Sequence, residues 1–309
     1  MKCRCGRKAV YYRRFEGSAL CKKCFLKSIE RKVKRTVRNH KLIRSGDRIA
    51  FALSGGKDSS AALCLMHDII SPRRDMEMFA ITIDEGISSY RPKTIKTAKK
   101  LCKELGIEHY IFSFKEFFGK TLDQKVKEIK NCEIKEPCTY CGVGRRYILN
   151  LKARELGATK ICTGHNLDDE VQSIIMNYIR GDILRAGRLG PVTDFSIRKK
   201  HGKMFIPRIK PLREIPEKEV ALYIMLKNIN VSWDECPYAS GIRFDVRDFI
   251  NNLEKKYPGI KYTILYAFDK IVPYIRKASV FREGEILKCK KCGEPASRDI
   301  CKVCELWRA

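Results

Sequence analysis

Asp47-Arg48-Ile49-Ala50-Phe51-Ala52-Leu53-Ser54-Gly55-Gly56-Lys57-Asp58-Ser59-Ser60 is the stretch that decides the fold. Ile49 to Leu53 is an apolar run short enough for a buried parallel strand. A Ser-Gly-Gly turn follows, and Asp58-Ser59-Ser60 opens an apolar-periodic helix from Ala61 to Ile70. Glycines at such a turn let the backbone approach a ligand, and the helix N-terminus offers unpaired N–H groups to an anion. Lys57 adds positive charge, while the hydroxyls of Ser54, Ser59 and Ser60 add donors. A phosphate or pyrophosphate fits that arrangement.

Outward from this stretch, strand-like segments are predicted at Met78–Ile83, His109–Phe114 and Lys160–Thr163. Helical patterns alternate with them at Ser60–Ile70, Pro92–Leu105, Leu122–Ile129 and Val143–Leu156. The alternation predicts an α/β fold with a doubly wound parallel sheet. Ligands of such sheets lie beyond the carboxyl ends of the strands. Ser54-Gly55-Gly56, Thr82-Ile83-Asp84 and Thr163-Gly164-His165-Asn166 are therefore expected to line one crevice. The last leads into Leu167-Asp168-Asp169-Glu170, an acidic helix start. Acids there cap a helix and suit its dipole, and beside a nucleotide Asp169 could also hold Mg²⁺.

The net charge of +28 points to a polyanionic partner, nucleic acid first. No run approaches a membrane span and Met1-Lys2-Cys3-Arg4-Cys5 lacks a signal peptide's apolar core, so a cytoplasmic location is expected. Fifteen cysteines in such a chain argue for metal or redox chemistry. Cys3, Cys5, Cys21 and Cys24 form one four-thiolate set, and Cys289, Cys292, Cys301 and Cys304 another; both have zinc-ligand spacing. Cys64, Cys102 and Cys162 fall on apolar faces and read as buried small hydrophobes. The expected organisation is an N-terminal zinc module at 1–26, a basic helical segment at 27–47, a catalytic body at 48–280 and a C-terminal zinc module at 281–309.

In the basic segment Leu26, Ile29, Val33 and Val37 share one helix face, and Lys27, Arg31, Lys34 and Arg38 share another, which favours phosphate-backbone contact. The stretch from Arg180 to Arg213 reads as a basic, irregular loop excursion. Helical patterns then run over Glu217–Leu226, Phe244–Asn252 and Lys261–Ile275.

Cys138-x-x-Cys141 is different, because it sits inside the body and brings only two thiolates. Cys236 is a candidate third, and three thiolates with no fourth suit a 4Fe-4S cluster with one open iron. Persulfide or disulfide chemistry competes, since C-x-x-C lowers a thiol pKa. Cys132 is near enough in sequence to assist the pair.

Neither G-x-x-x-x-G-K-[ST] nor G-x-G-x-x-G fits the loop, since Phe51 stands at the first glycine's place and Asp58 follows Lys57. Ser54-Gly55-Gly56-Lys57-Asp58-Ser59 instead resembles the PP-loop of the ATP-pyrophosphatases. With Cys138-x-x-Cys141, Gly164-His165-x-x-Asp168-Asp169, Cys236 and the two four-cysteine ends, the whole chain resembles the tRNA 2-thiolation enzymes, in the TtuA and cytosolic-thiouridylase branch. The resemblance implies adenylation of a uridine C2 oxygen by ATP, then sulfur transfer to C2. T-loop position 54 is the expected target, with wobble position 34 or a non-thiolating adenylating enzyme as alternatives. It implies ATP on Ala52, Leu53, Ser54, Gly55, Gly56, Lys57, Ser59, Ser60, Ile83 and Gly164, with Asp169 on Mg²⁺. Lys57, Asp58, Asp169, Cys138, Cys141 and Cys236 would be catalytic, the three cysteines holding a 4Fe-4S cluster, and Arg145 would contact sulfur or phosphate. Two Zn²⁺ complete the cofactors. The implied partners are tRNA and a sulfur-carrier protein with a C-terminal thiocarboxylate, or inorganic sulfide; a homodimer is left open.

Overall fold

The computed structural model describes residues 1–129, 136–193, 204–279 and 286–307. Cys132, the cations Arg198, Lys199, Lys200 and Lys203, and the expected boundary at 280/281 lie outside the described residues. β1 (Tyr11–Arg13) and β2 (Ser18–Leu20) pair as an antiparallel hairpin beside the first four cysteines. α1 (Lys22–Asn39) runs without a break across residues 26 and 27. It buries Phe25, Ile29, Val33 and Val37 and leaves Lys27, Arg31, Lys34 and Arg38 exposed, so the basic face predicted from spacing is a free surface.

The body alternates as expected through β3 (Arg48–Ala52), α2 (Lys57–Ile70), β4 (Glu77–Asp84), α3 (Arg91–Leu105) and β5 (Glu108–Ser113). Two short helices, α4 (Phe114–Phe118) and α5 (Leu122–Glu128), each open on a capping box, at Ser113 and Thr121. Then come α6 (Pro137–Glu155), β6 (Lys160–Cys162) and α7 (Leu167–Ile179). The basic stretch expected as a loop instead contributes α8 (Ile183–Gly187), β7 (Val192–Thr193) and β8 (Arg208–Ile209). Strands of two residues are too short to show a period, which is why spacing missed them. The chain closes with α9 (Glu217–Lys227), α10 (Ile242–Lys256), α11 (Ile260–Ser279), the hairpin β9 (Leu287–Lys288) and β10 (Pro295–Ala296), and α12 (Lys302–Trp307).

The six-stranded sheet has the order β5-β4-β3-β6-β8-β7, parallel throughout except for β7 at the edge. Alternation along β3 sends Ile49 and Phe51, and beyond it Leu53, into a core shared with α1, α2, α3 and α9. Ala50 goes to the opposite core, with α4, α6 and the C-terminal module. Burial on both faces explains the continuous apolar run at 49–53. A third core joins α7, α8, α10 and α11. No helix among the described residues is long and apolar enough to cross a membrane.

Candidate active crevice

Beyond β3 the chain turns on Ser54, Gly55 and Gly56 into α2. Ser59 ties the turn together: its hydroxyl receives the Ser54 N–H at 3.1 Å, lies 3.0 Å from Ser54 Oγ and is 3.1 Å from the Gly56 carbonyl. Gly55 has φ +87°, and a Cβ there would lie 1.9 Å from the Thr94 carbonyl oxygen, so only glycine fits. A Cβ at Gly164 would lie 2.7 Å from the Asp58 carbonyl carbon and Ser59 nitrogen, which lets the β6 end pack on the first turn of α2. α2 has no side-chain cap, leaving its first N–H groups open toward the crevice. Leu53, Ile83 and Ser60 are buried, the first two within the two cores flanking the sheet; Ala52 is half-buried.

Carboxylates gather on one side of this turn. Lys57 Nζ bridges Asp58 at 3.0 Å and Glu217 at 2.7 Å. Burial opposes its charge, but those two acids outweigh burial and raise its pKa. Asn166 caps α7 by accepting from the Asp169 N–H, and its amide donates to Asp58 at 3.0 Å. Arg243 donates to Asp169 at 3.3 Å and to Gln172 at 3.1 Å. Burial raises the pKa of both Asp58 and Asp169, against the charges of Lys57 and Arg243 respectively. These acids border a cavity of 170 Å³. Asp168 lines the same cavity but is already engaged: it binds Lys261 and accepts from the Glu217 N–H at 2.8 Å, holding α7 to α9 and α11.

A chain of arginine contacts leads from the turn to the opposite wall. Arg91 donates to the Ser54 carbonyl at 3.0 Å and the Ile83 carbonyl at 2.6 Å, and its Nε lies 2.6 Å from Glu85. Both members of that ion pair are buried. The other Glu85 oxygen lies 3.6 Å from Arg145 on α6, whose charge also acts on Cys141. Cys138 and Cys141 occupy the opening turns of α6, which starts at Pro137 rather than at Val143 as the apolar pattern suggested. Cys138 Sγ donates to the Tyr238 carbonyl at 3.2 Å, bringing the Cys236 loop against the pair, and Tyr238 is anchored on Asp123 at 2.8 Å. Burial pushes Cys141 up to about 12 despite Arg145, and burial also raises Cys236. At Cys141 that reverses the lowered thiol pKa expected of a C-x-x-C motif, since half-burial among apolar side chains outweighs the nearby cation.

The ends are built otherwise. In each four-cysteine set all sulfurs lie within 4.8 Å of one another, with pairs at 3.6 Å (Cys5–Cys21), 3.8 Å (Cys289–Cys304) and 3.7 Å (Cys292–Cys301). A tetrahedral ion with bonds of about 2.3 Å requires sulfurs about 3.8 Å apart, so both sets fit a metal-binding module. Hydrogen bonds from the Cys5 and Cys21 backbone hold Cys3 down to about 6. Burial opposes ionisation of Cys289, but backbone donors at Cys301, Cys292 and Lys291 bring it down to about 6 as well. Cys138, Cys141 and Cys236 do not form such a tight set, their sulfurs not all lying within 4.8 Å of one another.

Sequence reasoning placed Asn166 at the crevice, where it also caps α7 in an Asn-x-x-Asp box. It missed Glu85, Arg91, Glu217 and Arg243, whose roles depend on contacts made only by folding.

Comparison with known proteins agrees with this geometry. The PP-loop domain model matches residues 25–253, and a model described as the N-terminal LIM domain of 2-thiouridine synthetase TtuA matches residues 2–26. The chain is 36% identical to the tRNA 2-thiolation protein NcsA of Haloferax volcanii, over 99% of this chain and 98% of that one. It is 35% identical to the tRNA-5-methyluridine(54) 2-sulfurtransferase of Pyrococcus horikoshii, over 99% of this chain and 94% of that one. The solved U34-tRNA thiolase NcsA from Methanococcus maripaludis, with its 4Fe-4S cluster, superposes with a TM-score of 0.82 at 35% identity, covering 100% of this chain and 96% of that chain. The chain therefore belongs to the PP-loop family of tRNA 2-thiolation proteins.

Proposed function

We propose that this protein is an ATP-dependent tRNA-uridine 2-sulfurtransferase. The observation that carries the reading is the convergence of an open-ended PP-loop and three thiols on one crevice, joined through Arg91, Glu85 and Arg145. ATP phosphates are received by the open N–H groups of α2, the Ser54 and Ser59 hydroxyls and Lys57. Asp58 and Asp169 supply hard oxygens for Mg²⁺, whose charge offsets the burial that raises their pKa. The uridine C2 oxygen attacks the α-phosphorus and the bond to pyrophosphate breaks. A sulfur nucleophile then adds at C2 and the carbon–oxygen bond to AMP breaks. Cys138, Cys141 and Cys236 would hold a 4Fe-4S cluster, which when bound supplies an iron coordination position for sulfur. Arg145 places positive charge beside that position, and the hydrophobic packing around Cys141 and Cys236 limits water. Zn²⁺ is the ion proposed for both four-cysteine ends.

The acceptor is proposed to be uridine 54 of the T-loop. The match of residues 2–26 to the TtuA model and the Pyrococcus relative support it. The whole-chain likeness to the U34 thiolase supports wobble uridine 34 as the second reading. The exposed cations of α1 suit tRNA phosphates, and a carrier-protein thiocarboxylate or inorganic sulfide suits the sulfur step. The proposed location is the cytoplasm. Anaerobic reaction with tRNA, ATP and a sulfur donor, followed by nucleoside mapping, tests the reading. 2-Thiouridine at position 54 is expected; at 34 it moves the acceptor, and at neither it overturns the reading.

A further inference from the structure

Among the described residues, each fully buried arginine has a carboxylate partner. Arg13 meets Glu219 at 2.7 Å, Arg91 meets Glu85 at 2.6 Å, and Arg213 meets Asp269 at 2.8 Å. Half-buried Arg154 and Arg243 likewise reach Glu294 and Asp169. Arg208, half-buried on β8, has no acidic partner among the described residues. The charge that acts on it is that of another cation, Arg146 of α6.

The chain sets both on one side of the sheet. Asn150 on α6 donates to the Met204 carbonyl at 2.9 Å and accepts the Ile206 N–H at 2.9 Å, so the approach to β8 runs along α6. Ile209 enters the core containing α1 and α2, so alternation turns Arg208 to the opposite face, that of Ile161 and α6. Arg146 folds toward the N-terminal end of its helix, as helical side chains do. Its guanidinium lies over Gly142, where a Cβ would come within 3.2 Å of it, next to Cys141. Arg185 adds to the field at Arg146 but is held by Asp182 at 3.1 Å. Burial first and Arg146 second bring the Arg208 pKa down to about 10. Two guanidiniums on the same side of the sheet with no carboxylate partner among the described residues repel each other, which an anion would relieve, and their planar forks match phosphate oxygens.

We propose that Arg208 and Arg146 form a phosphate-binding site at the edge of the crevice, filled by an RNA backbone phosphate flanking the reacting nucleotide. The RNA assignment rests on the thiolation reading, whereas the phosphate chemistry does not. The site lies on the sheet face opposite α2, apart from the turn that receives the ATP phosphates. Product pyrophosphate is the other source of the same chemistry.

The test compares the full chain with Arg208→Gln, Arg146→Gln and Arg208→Lys. tRNA affinity is measured against salt, and the KM values for tRNA and ATP are measured separately. Loss of one phosphate contact should lower the log–log salt slope by about 1. For Arg208→Gln we expect the tRNA KM to rise by about 10-fold, the size of one charge-assisted contact, with the ATP KM unmoved and Arg208→Lys recovering part of the loss. A tRNA with one neutral methylphosphonate beside the target uridine should weaken binding to the parent protein and add nothing to Arg208→Gln. If pyrophosphate inhibition moves and the tRNA slope does not, the RNA assignment is overturned. If neither moves, the site itself is overturned. An unfolded Arg208→Gln protein transfers the same measurements to Arg146→Gln, which changes an exposed helix position. A parent protein that makes no 2-thiouridine defeats the thiolation reading alone, because the salt slopes still report on the arginines.

Discussion

Two kinds of cysteine site share this chain, and they differ in almost every physical respect. At the ends, four sulfurs lie within 4.8 Å of one another, with backbone N–H groups drawing Cys3 and Cys289 down to about 6. In the crevice, three sulfurs stand farther apart, and burial drives Cys141 up to about 12. The ends are closed sites in which every ligand position belongs to the protein, suited to holding structure. The crevice brings three thiols rather than four. Backbone donors thus favour ionisation of Cys3 and Cys289, whereas burial opposes it at Cys141.

The largest effect should come from breaking the open site. Cys236→Ala is expected to lower thiolation by at least about 10³-fold, as loss of a member of a catalytic unit does. Its thermal unfolding should shift little, because removing one half-buried sulfur costs about 1 kcal/mol. Iron and sulfide analysis on anaerobically purified protein should fall with activity. Full activity without iron would break the comparison at its strongest point.

Arg91 joins the loop to the cysteine wall and should respond next. Arg91→Met leaves Glu85 buried without its principal partner and frees the Ser54 and Ile83 carbonyls. A loss of about 3–5 kcal/mol is expected, read from urea unfolding. A smaller loss belongs to the closed end. Cys304→Ser removes a fully buried ligand beneath Trp307, which stacks on Phe118 at 4.6 Å and donates to the Tyr140 carbonyl at 3.2 Å. Metal content should halve, stability should drop by about 2–3 kcal/mol, and Trp307 emission should shift to the red. Because Tyr140 lies between Cys138 and Cys141, this end is a buttress of the crevice, a role its spacing alone did not reveal.

Both sites could be found in the sequence to different depths. The closed ends were legible outright, since four thiolates at ligand spacing specify their own geometry. The loop was legible too, because a short apolar strand, Ser-Gly-Gly and a helix start are contiguous in the chain. Glu85, Arg91 and Arg208 were not. Their meaning depends on partners brought by β3, α6 and the approach to β8, and a lone charged residue has no period to betray it. The two-residue strands β7 and β8 were lost for the same reason, within a stretch whose basic character suggested only a loop. Cys141 departs from its motif in one respect: the pattern C-x-x-C predicts an acidic thiol, and only the packing of α6 against its core shows that burial wins there.

That last reversal gives the mildest and most direct test of the comparison. With metal removed by chelator at pH 7.5, thiols near 6 are mostly thiolate, whereas one near 12 is ionised to about 10⁻⁴ or less. Cys3 and Cys289 should therefore be alkylated well before Cys141, as followed by peptide mass mapping over time. Unfolding of a stripped end would not reverse the order, because a free thiol near its ordinary value still ionises far more readily than Cys141. Raising the pH toward 10 should hasten Cys141 while leaving Cys3 and Cys289 near their plateau. Labelling of Cys141 first, at pH 7.5, would mean that Arg145 outweighs burial, and would return the pair to persulfide or disulfide chemistry. The order of labelling thus separates a thiol kept neutral for a cluster from one kept ionised for attack.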